Sequence, residues 1–565
     1  MDRLKTLTLT VTLLCRILTF AQQNDSIFTE TIFITTNTTT FVSGENLLYK
    51  IVCLNTTNNT LSDLSKVAYV KLISSSNKEI FTNTIFLKNG NFSGDYFINL
   101  KLQTGSYKLI AYTQWMLNND VKKFNEIDIY IINPFLSINN QKNNVGSIAS
   151  EKIEKIDLNS DVNFKFILNK RQFTCREKVD LSIISKNTQK GNYTLSVRKK
   201  EELPIINLAK STTFFKTIIP QKISFLKNNI ELPELRGQLI SGKIVNKIDS
   251  RDIVNKTITL SILGKELQVK IVKTNKEGEF IFNIDKIYSS PNQIIQILED
   301  NKEDFNLVLD LKKTPDLTNL IFLNPPFIDK IYKESLEIHS VANQIENSYY
   351  SKKADSSLKK LNDNKFYEPW QKTYFLNDYV RFPTLAETIT EVIHEVYYTK
   401  NKDVYTIGLN DLIVFTEVPE PALVIIDGLV IQDLKELFEY KMSNIYKIST
   451  VQGGYYYGSN IFNGIISITT NKFDFTSNLS GSFILNANLQ PTTISKKYFK
   501  QDYSDKQKNE RIPDYRNQLF WDPNLDIEKP ISFYTSDIKG IFEIVLDGFS
   551  TDGIPVHTIE EFEVK

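Results

Sequence analysis

Short runs of alternating apolar and polar residues, each closed by a turn signal, recur along most of this 565-residue chain. Such alternation puts one face of an extended strand into a core, and many short strands separated by turns are typical of an immunoglobulin-like sandwich. The length predicts roughly three to five domains, because a single core does not grow to that size. We therefore predict a mainly β protein of tandem sandwiches with one small α+β module. In the first sandwich the predicted strands are 31–35, 46–54, 68–73, 92–100, 106–113 and 126–132.

The N-terminal segment 1–22 has the features of a secretory signal peptide. Arg3 and Lys5 supply its positive charge, a mainly apolar run covers 7–20, and Ala21 offers a small-residue cleavage point. We expect an exported protein. A cytosolic N-terminal strand is the alternative, because Arg16 interrupts the apolar run.

Cleavage of that signal would remove Cys15 and leave Cys53 and Cys175. Leu14 precedes Cys15 where a lipoprotein signal needs a small residue, so a signal without lipidation is favoured. Two cysteines make neither a disulfide framework nor a zinc site. Each is predicted to be a small buried hydrophobe within a strand.

Three glycine-containing motifs lie in the segment 25–135: FVSGE at 41–45, GDYF at 94–97 and GSYKLIAY at 105–112. Each glycine permits a tight corner. These motifs resemble the second macroglobulin-type domain of alpha-2-macroglobulin-like proteins. The resemblance implies a macroglobulin-like β-sandwich over 25–135.

A second macroglobulin-like unit is predicted at 160–225, where NKRQFTCREKV and GNYTLSV repeat the pattern. It holds only about three strands, too few for a sandwich. The C-terminal part, 475–565, also has sandwich texture. We hypothesise that 490–565 completes the second unit and that the modules between are inserted into it, since a loop with close ends tolerates insertion. The C-terminal strands are predicted at 531–534, 540–546 and 556–564, and the segment 511–516, running on to 520–523, is predicted to form a structured loop.

The segment 235–312 opens with GQLISGKIV and continues through a strand to TNKEGEFIF. It resembles the carboxypeptidase-regulatory-like β-sandwich, a module without peptidase chemistry that also stands at the front of many Bacteroidota outer-membrane receptors. A polar connector rich in Lys, Asn and Ser is predicted at 320–374. A helix is predicted at 384–396 from five apolar residues at helical spacing. These residues are Leu385, Ile389, Val392, Ile393 and Val396.

The segment 380–474 contains a buried strand with an Asp-Gly turn, a short helix at 432–440, a strand, a glycine-aromatic loop at 453–458 and a final strand. This order resembles the plug domain of TonB-dependent outer-membrane receptors, particularly the nutrient-uptake receptors of Bacteroidota. The resemblance implies structural roles for a small set of residues. These are Asp427, Gly428, Gly453, Gly458 and Gly464.

In that family the plug fills a closed barrel of about 22 strands, which needs roughly 200 residues for the strands alone. Fewer than 100 residues follow Lys472 in this sequence. We therefore expect a plug-like module without a barrel, in a chain that does not transport solute by itself.

Residues for catalysis are sparse. The three histidines are His339, His394 and His557. His557 and Glu560 have ligand-like spacing, but no third ligand accompanies them, so a surface histidine on a strand is favoured over zinc. The sequence has no phosphate loop, no nucleophile elbow and no Cys-Gly-Glu-Gln thioester of the macroglobulin protease traps. We expect no enzyme activity, no catalytic residue, no metal and no cofactor.

Two bulk properties limit the partners. The net charge of +1 argues against nucleic-acid binding, and no apolar run after the signal reaches the roughly 20 residues of a membrane span. The modular β organisation favours a non-catalytic binding or scaffold protein at the periplasm or outer membrane, with envelope proteins as partners. Exposed strand edges would recruit them by β-augmentation.

The candidate contact surface is the loop with Tyr455, Tyr456 and Tyr457, because tyrosine is enriched in interface hot spots. Packing within the plug-like fold is the alternative role for these tyrosines. Two other functions stay open. One is an accessory of TonB-dependent nutrient uptake that works with a separate barrel receptor, and the other is an envelope assembly or secretion factor.

Overall fold

The computed structural model describes most of the chain. The predicted signal peptide, 1–22, lies outside the described residues, and among those residues no helix combines the length and apolar character that crossing a membrane requires. The described residues are 28–119, 124–136, 163–186, 190–200, 202–203, 210–218, 230–247, 252–324, 330–357, 372–410, 421–458, 460–505 and 511–565.

Strands dominate the described part of the chain, which confirms the mainly β fold class. The first strands are β1 (Glu30–Thr36), β2 (Thr40–Val42), β3 (Asn46–Asn55), β4 (Val67–Ser74), β5 (Glu79–Phe86), β6 (Asn91–Phe97), β7 (Gly105–Tyr112), β8 (Glu126–Ile132), β9 (Phe164–Leu168), β10 (Gln172–Phe173), β11 (Lys178–Ser185) and β12 (Gly191–Lys199). Next come β13 (Gln238–Asn246), β14 (Thr257–Ile262), β15 (Gln268–Lys273), β16 (Glu279–Ile284), β17 (Gln293–Ile297), β18 (Phe305–Leu309), β19 (Ser356–Ser357), β20 (Lys372–Phe375), β21 (Val396–Asn401) and β22 (Val404–Leu409). The last are β23 (Leu423–Ile426), β24 (Leu429–Val430), β25 (Ile445–Tyr457), β26 (Asn460–Thr470), β27 (Ile484–Asn486), β28 (Thr492–Thr493), β29 (Lys496–Lys497), β30 (Gln518–Leu525), β31 (Ile531–Tyr534), β32 (Gly540–Ser550) and β33 (Pro555–Val564). The α-helices of the described part are α1 (Ser211–Phe215), α2 (Lys333–Ser348), α3 (Leu385–Glu391) and α4 (Leu434–Glu439).

The first sandwich packs the sheet β1-β3-β6 against the sheet β2-β8-β7-β4-β5-β28. Its strands were predicted from alternation, apart from β2, β5 and the distant β28. The side chains that alternation turns inward, such as Tyr49, Val70 and Leu109, form one buried core.

The second sandwich joins two distant stretches of the chain. Its five-stranded sheet has the order β10-β33-β32-β12-β30, and its three-stranded sheet has the order β31-β11-β9. β12 pairs antiparallel with β32 along its whole length, from Gly191 opposite Ser550 to Lys199 opposite Phe542. Apolar residues from both stretches, including Leu195 and Leu546, share one core.

The third sandwich packs β16-β13-β18 against β15-β14-β17-β27. The position of β27 differs from the prediction, which placed all residues from 475 onward in the C-terminal sandwich. Instead, β27 pairs with β17, Phe483 is fully buried in the core of the third sandwich, and β28 pairs with β5 of the first.

The α+β module consists of the sheet β20-β25-β26-β23-β24, the hairpin β21-β22 and the helices α3 and α4. α3 begins at a capping box formed by Thr384 and Glu387. It ends at Glu391, earlier than the predicted 396, because Val396 instead pairs with Leu409 in the hairpin. The helix predicted at 432–440 is the shorter α4.

The predicted polar connector, 320–374, is more ordered than its composition indicates. It contains the 16-residue helix α2, and its end forms β20, which pairs with β25. Ala342 of α2 lies in the core of the second sandwich. This buried contact explains why a weakly amphipathic sequence is helical here.

Two local predictions were wrong. Phe520 and Trp521, predicted in a structured loop, lie in β30, where Phe520 pairs with Val197. Cys175, predicted in a strand, lies in the turn before β11 and is half-buried, whereas Cys53 is fully buried in β3 as predicted.

Candidate functional site

The prediction that three tyrosines form a loop was wrong, whereas their role as a contact surface stays a prediction. Tyr455, Tyr456 and Tyr457 lie in the strand β25, because the pairing with β26 continues to their end. The Tyr457 hydroxyl donates a hydrogen bond to the carbonyl of Val269 in the third sandwich. Tyr455 and Tyr457 pack against the core shared by the third sandwich and the α+β module, and only Tyr456 is strongly exposed, at 76%.

Asp427 forms a polar anchor at the Asp-Gly turn. Its backbone is left-handed, with φ 48°, and its side chain is buried. The carboxylate accepts hydrogen bonds from the backbone N–H of Thr470 at 2.9 Å, from the Thr470 hydroxyl at 2.6 Å and from the N–H of Phe475 at 3.2 Å. These bonds tie the turn to the end of β26.

Four glycines of the same module differ in their surroundings. Gly428 and Gly458 approach the third sandwich, where an added Cβ would lie 2.7 Å from the Leu267 side chain and 2.8 Å from the Ile271 carbonyl, respectively. Gly464, with φ 80°, is enclosed within the module, whereas Gly453, with φ 90°, faces open space. Asp427 and three of these glycines, Gly428, Gly458 and Gly464, contact neighbouring structure.

An open groove of about 590 Å³ lies between the end of α2 and the loop 511–515. We call it the α2 groove. One wall is formed by Ile345, Ser348 and Tyr349, and the other by Arg511, Pro513 and Tyr515. Arg176 and Asp537 of the second sandwich complete the lining.

The loop wall of the groove is held by a buried ion pair. Arg516 donates from Nε at 2.6 Å and from Nη2 at 2.7 Å to the two carboxylate oxygens of Asp514. The Tyr503 hydroxyl donates to the same carboxylate at 2.7 Å. Burial alone would raise the pKa of Asp514, but Arg516 and Lys353 lower it to about 2. The carboxylate is therefore charged at neutral pH.

The backbone of this loop is also fixed from three sides. Arg176 donates to the Ile512 carbonyl at 3.0 Å, and Lys353 donates to the Pro513 carbonyl at 3.0 Å. The N–H of Tyr515 donates to Glu346 of α2 at 2.6 Å. A wall anchored in this way keeps its shape before a ligand arrives, which lowers the cost of binding.

Arg176 forms the floor of the groove. It donates from Nε and Nη2 to Asp537, each at 2.6 Å, and this bidentate pair raises the pKa of the guanidinium. Its backbone is left-handed, with φ 58°, an uncommon conformation for a residue other than glycine. The turn places the guanidinium beneath the loop wall.

The outer face of α2 carries an apolar stripe that leads into the groove. Ile338, Val341 and Ile345 follow one another at spacings of three and four residues, so they share one face. Ile338 is 56% exposed and Val341 is 53% exposed. The opposite face of α2 is the one packed against the protein, through His339, Ala342 and Asn343.

α2 is itself fixed where the first and second sandwiches meet. Glu45 of the first sandwich accepts a hydrogen bond from Arg198 of the second at 2.7 Å, and His339 Nε2 lies 3.0 Å from the same oxygen. Burial would raise the pKa of Glu45, but His339 and Arg198 hold it far below its usual range. Asn347 adds a hydrogen bond of 2.9 Å to the carbonyl of Gly44.

The other histidines lie apart from the groove. His557, predicted at the surface, is buried on β33 with Nδ1 3.3 Å from Asp547. Ser211 of α1 donates to the same carboxylate at 2.6 Å and covers the pair. His394 is exposed in a turn. Within the described ranges no three His, Cys, Asp or Glu residues cluster as metal ligands.

The chain is mainly β. No protein-family profile matches it, and no curated protein matches it. Among solved structures, Escherichia coli alpha-2-macroglobulin activated by porcine elastase aligns with 95% of this chain and 44% of its own, at 8% identity and a TM-score of 0.24. Salmonella alpha-2-macroglobulin reacted with methylamine aligns with 95% of this chain and 39% of its own, at 9% identity and a TM-score of 0.23.

The Yersinia pseudotuberculosis adhesin InvE aligns with 49% of this chain and 57% of its own, at 9% identity and a TM-score of 0.14. The chain spans less than half the length of the two macroglobulin chains above. Scores this low transfer neither a detailed fold nor a function to this chain.

Proposed function

We propose that this chain is a non-catalytic binding and scaffold protein of a bacterial envelope, which acts through protein–protein contacts at the α2 groove and its apolar stripe. The observation that carries the proposal is the apolar stripe of exposed Ile338, exposed Val341 and half-buried Ile345, which runs into an open groove on a fixed helix. A contiguous exposed apolar surface beside polar residues is typical of an interaction site.

The residue types of the groove support this proposal. Tyr349 and Tyr515 are each more than one-third exposed, and Arg511 is exposed beside them. Tyrosine and arginine are the residue types most enriched in interface hot spots, together with tryptophan. Asp537, the carboxylate among the lining residues of the groove, is already paired with Arg176.

The rigid frame supports a scaffold role. Besides the Glu45 cluster, Lys50 of the first sandwich donates to the Pro523 carbonyl of the second. Tyr69 of the first sandwich donates to Glu234, on the chain that leads into the third, at 2.9 Å. Buried polar bonds between modules resist bending, because separating them leaves polar groups without partners.

Crosslinking in the native cell tests the proposal. A tagged full-length chain, crosslinked in whole cells and purified, should recover envelope proteins, and Val341→Asp should reduce that recovery. Val404→Asp, at an exposed apolar position on the β21-β22 hairpin, is the matched control and should leave recovery unchanged. Recovery of no partner by the wild-type chain, or equal recovery by Val341→Asp, would contradict the proposal.

The same experiment separates two more specific roles. Recovery of a TonB-dependent barrel receptor would favour an accessory of nutrient uptake. Recovery of outer-membrane insertion machinery would favour an assembly or secretion factor.

A further inference from the structure

We infer that the α2 groove takes an extended acidic peptide segment of a partner protein, with aliphatic side chains on the stripe of α2 and a carboxylate on Arg511. This inference rests on the proposed function and specifies the chemistry of the partner.

The length of the surface favours an extended chain over a compact small molecule. Ile338 and Ile345 are seven residues apart on α2, which corresponds to about 10 Å along the helix axis. The stripe therefore extends the groove by two helical turns. In an extended peptide alternate side chains point to the same side, so apolar side chains at every second position could contact successive residues of the stripe.

The charges around the groove favour an acidic partner. Among the described residues that line the groove or hold its loop wall, the cations are Arg176, Arg511, Arg516 and Lys353. The carboxylates there are Asp537, Asp514 and Glu346. Four cations and three carboxylates leave an excess of one positive charge.

That excess is located at Arg511. The three carboxylates already accept hydrogen bonds from Arg176, Arg516 and Lys353. Within the part of the chain that the structure describes, Arg511 has no hydrogen bond and no ion pair, and its side chain is exposed at the rim of the groove. A guanidinium in this position can bind an incoming carboxylate in bidentate geometry.

The surroundings of Arg511 also limit which ligand fits. Tyr349 and Tyr515 line the groove with aromatic surface, and the acidic lining residue Asp537 is half-buried and paired with Arg176. A basic peptide would meet Arg511 with like charge and would lose affinity. An acidic peptide without apolar residues would leave the stripe in water, so both features are needed.

Fluorescence anisotropy with the full-length chain tests the inference. The probe is a short labelled peptide with an amidated C-terminus that alternates leucine and glutamate, and the comparison probes carry lysine in place of glutamate or serine in place of leucine. The glutamate-leucine probe should bind, and both comparison probes should bind at least about 10-fold more weakly. Binding should also weaken as salt is added, because the charges are exposed.

Variants then locate the contact. Arg511→Ala should weaken binding of the acidic probe by about 10-fold, the value of one charge-assisted hydrogen bond, and Val341→Asp should abolish it. Arg171→Ala is the matched control, because Arg171 is an exposed arginine of the same sandwich paired with Glu560, and it should bind like the wild type. The substituted positions in the groove and on the stripe are both exposed, so circular dichroism should show that both variants keep the wild-type fold.

The outcomes separate this inference from the proposed function. Equal binding by Arg511→Ala and the wild type, or equal binding of the lysine probe, would overturn the inference. If the wild-type chain still recovers envelope proteins after crosslinking, the proposed function stands even when the acidic-peptide inference fails.

Discussion

Lys50 is a buried lysine at the contact between the first and second sandwiches. It lies on β3 with 1% of its surface exposed and donates to the Pro523 carbonyl of β30. Burial lowers the pKa of this lysine to about 7, against the opposing effect of Asp522. Near neutral pH the buried amine therefore loses its proton far more readily than a lysine in water.

This shift predicts a pH dependence of stability. Between about pH 7 and the ordinary lysine pKa of 10.5, the unfolded chain binds a proton that the folded chain has released. The free energy of unfolding should therefore rise with pH in this window, by up to about 1.4 kcal/mol per unit from this group. Lys50→Met should remove that rise.

Urea denaturation of both proteins at pH 7 and pH 9 measures the difference. Lys50→Met should gain stability relative to the wild type at pH 7, and the gap should narrow at pH 9. A gap that is equal at the two pH values would show that Lys50 titrates normally.

At the scale of the element, the long β25-β26 hairpin depends on glycines whose roles differ. Gly464 and Gly453 both have positive φ. A Cβ on Gly464 would lie 2.4 Å from Leu409 Cδ1 and 2.4 Å from the Val451 carbonyl, whereas a Cβ on Gly453 would meet nothing within 4 Å. The first position combines backbone strain with a steric clash, and the second has backbone strain alone.

Alanine at the two positions should separate these effects. Gly453→Ala should lower the free energy of unfolding by about 1 kcal/mol from the left-handed backbone. Gly464→Ala should lower it by clearly more, because the backbone carbonyl of Val451 cannot move aside easily. Thermal unfolding of the two variants provides the comparison. Equal losses in the free energy of unfolding would show that the neighbours of residue 464 move to make room for the added Cβ.

The elements that sequence predicted well are those whose signals are local. The strands at 46–54, 106–113 and 531–534 are confirmed, since alternation and a neighbouring turn define them. α2 was read as part of a connector because its burial depends on side chains from two sandwiches that only the fold brings together. The sequence predicts a loop at Tyr455 to Tyr457 because Gly453 and Gly454 resemble a turn. In the structure the two glycines instead lie at an irregularity within the pairing of β25 with β26.

The α2 groove illustrates what sequence cannot provide. Its lining comes from four separate stretches, which contain Arg176, Ile345, Arg511 and Asp537. The sequence marked the segment around Arg511 as structured, but the pairing of β11 with β31 is what brings Arg176 and Asp537 together. A contact of this kind depends on topology and not on any local pattern.

At the scale of the whole molecule, the pairing of β12 with β30 and β32 predicts the behaviour of the second sandwich in proteolysis. A protease that cuts the chain between residue 200 and residue 517 should leave 163–200 and 518–565 associated, because β12 of the first segment is hydrogen-bonded between β30 and β32 of the second. Native mass spectrometry after brief digestion measures this. Separation of the two fragments without denaturant would contradict the insertion of the intervening modules.

The same arrangement has a consequence for how the protein is made. A ribosome completes β9 to β12 long before it reaches β30 to β33, so the nascent chain carries about half of the second sandwich, with core residues that include Tyr193, Leu195 and Val197. The third sandwich and most of the α+β module can close during that interval. Messenger RNAs that are truncated after these modules would yield polypeptides in which that half of the sandwich core is uncovered, and chaperones and proteases could recognise the unfinished copies by this exposed apolar surface.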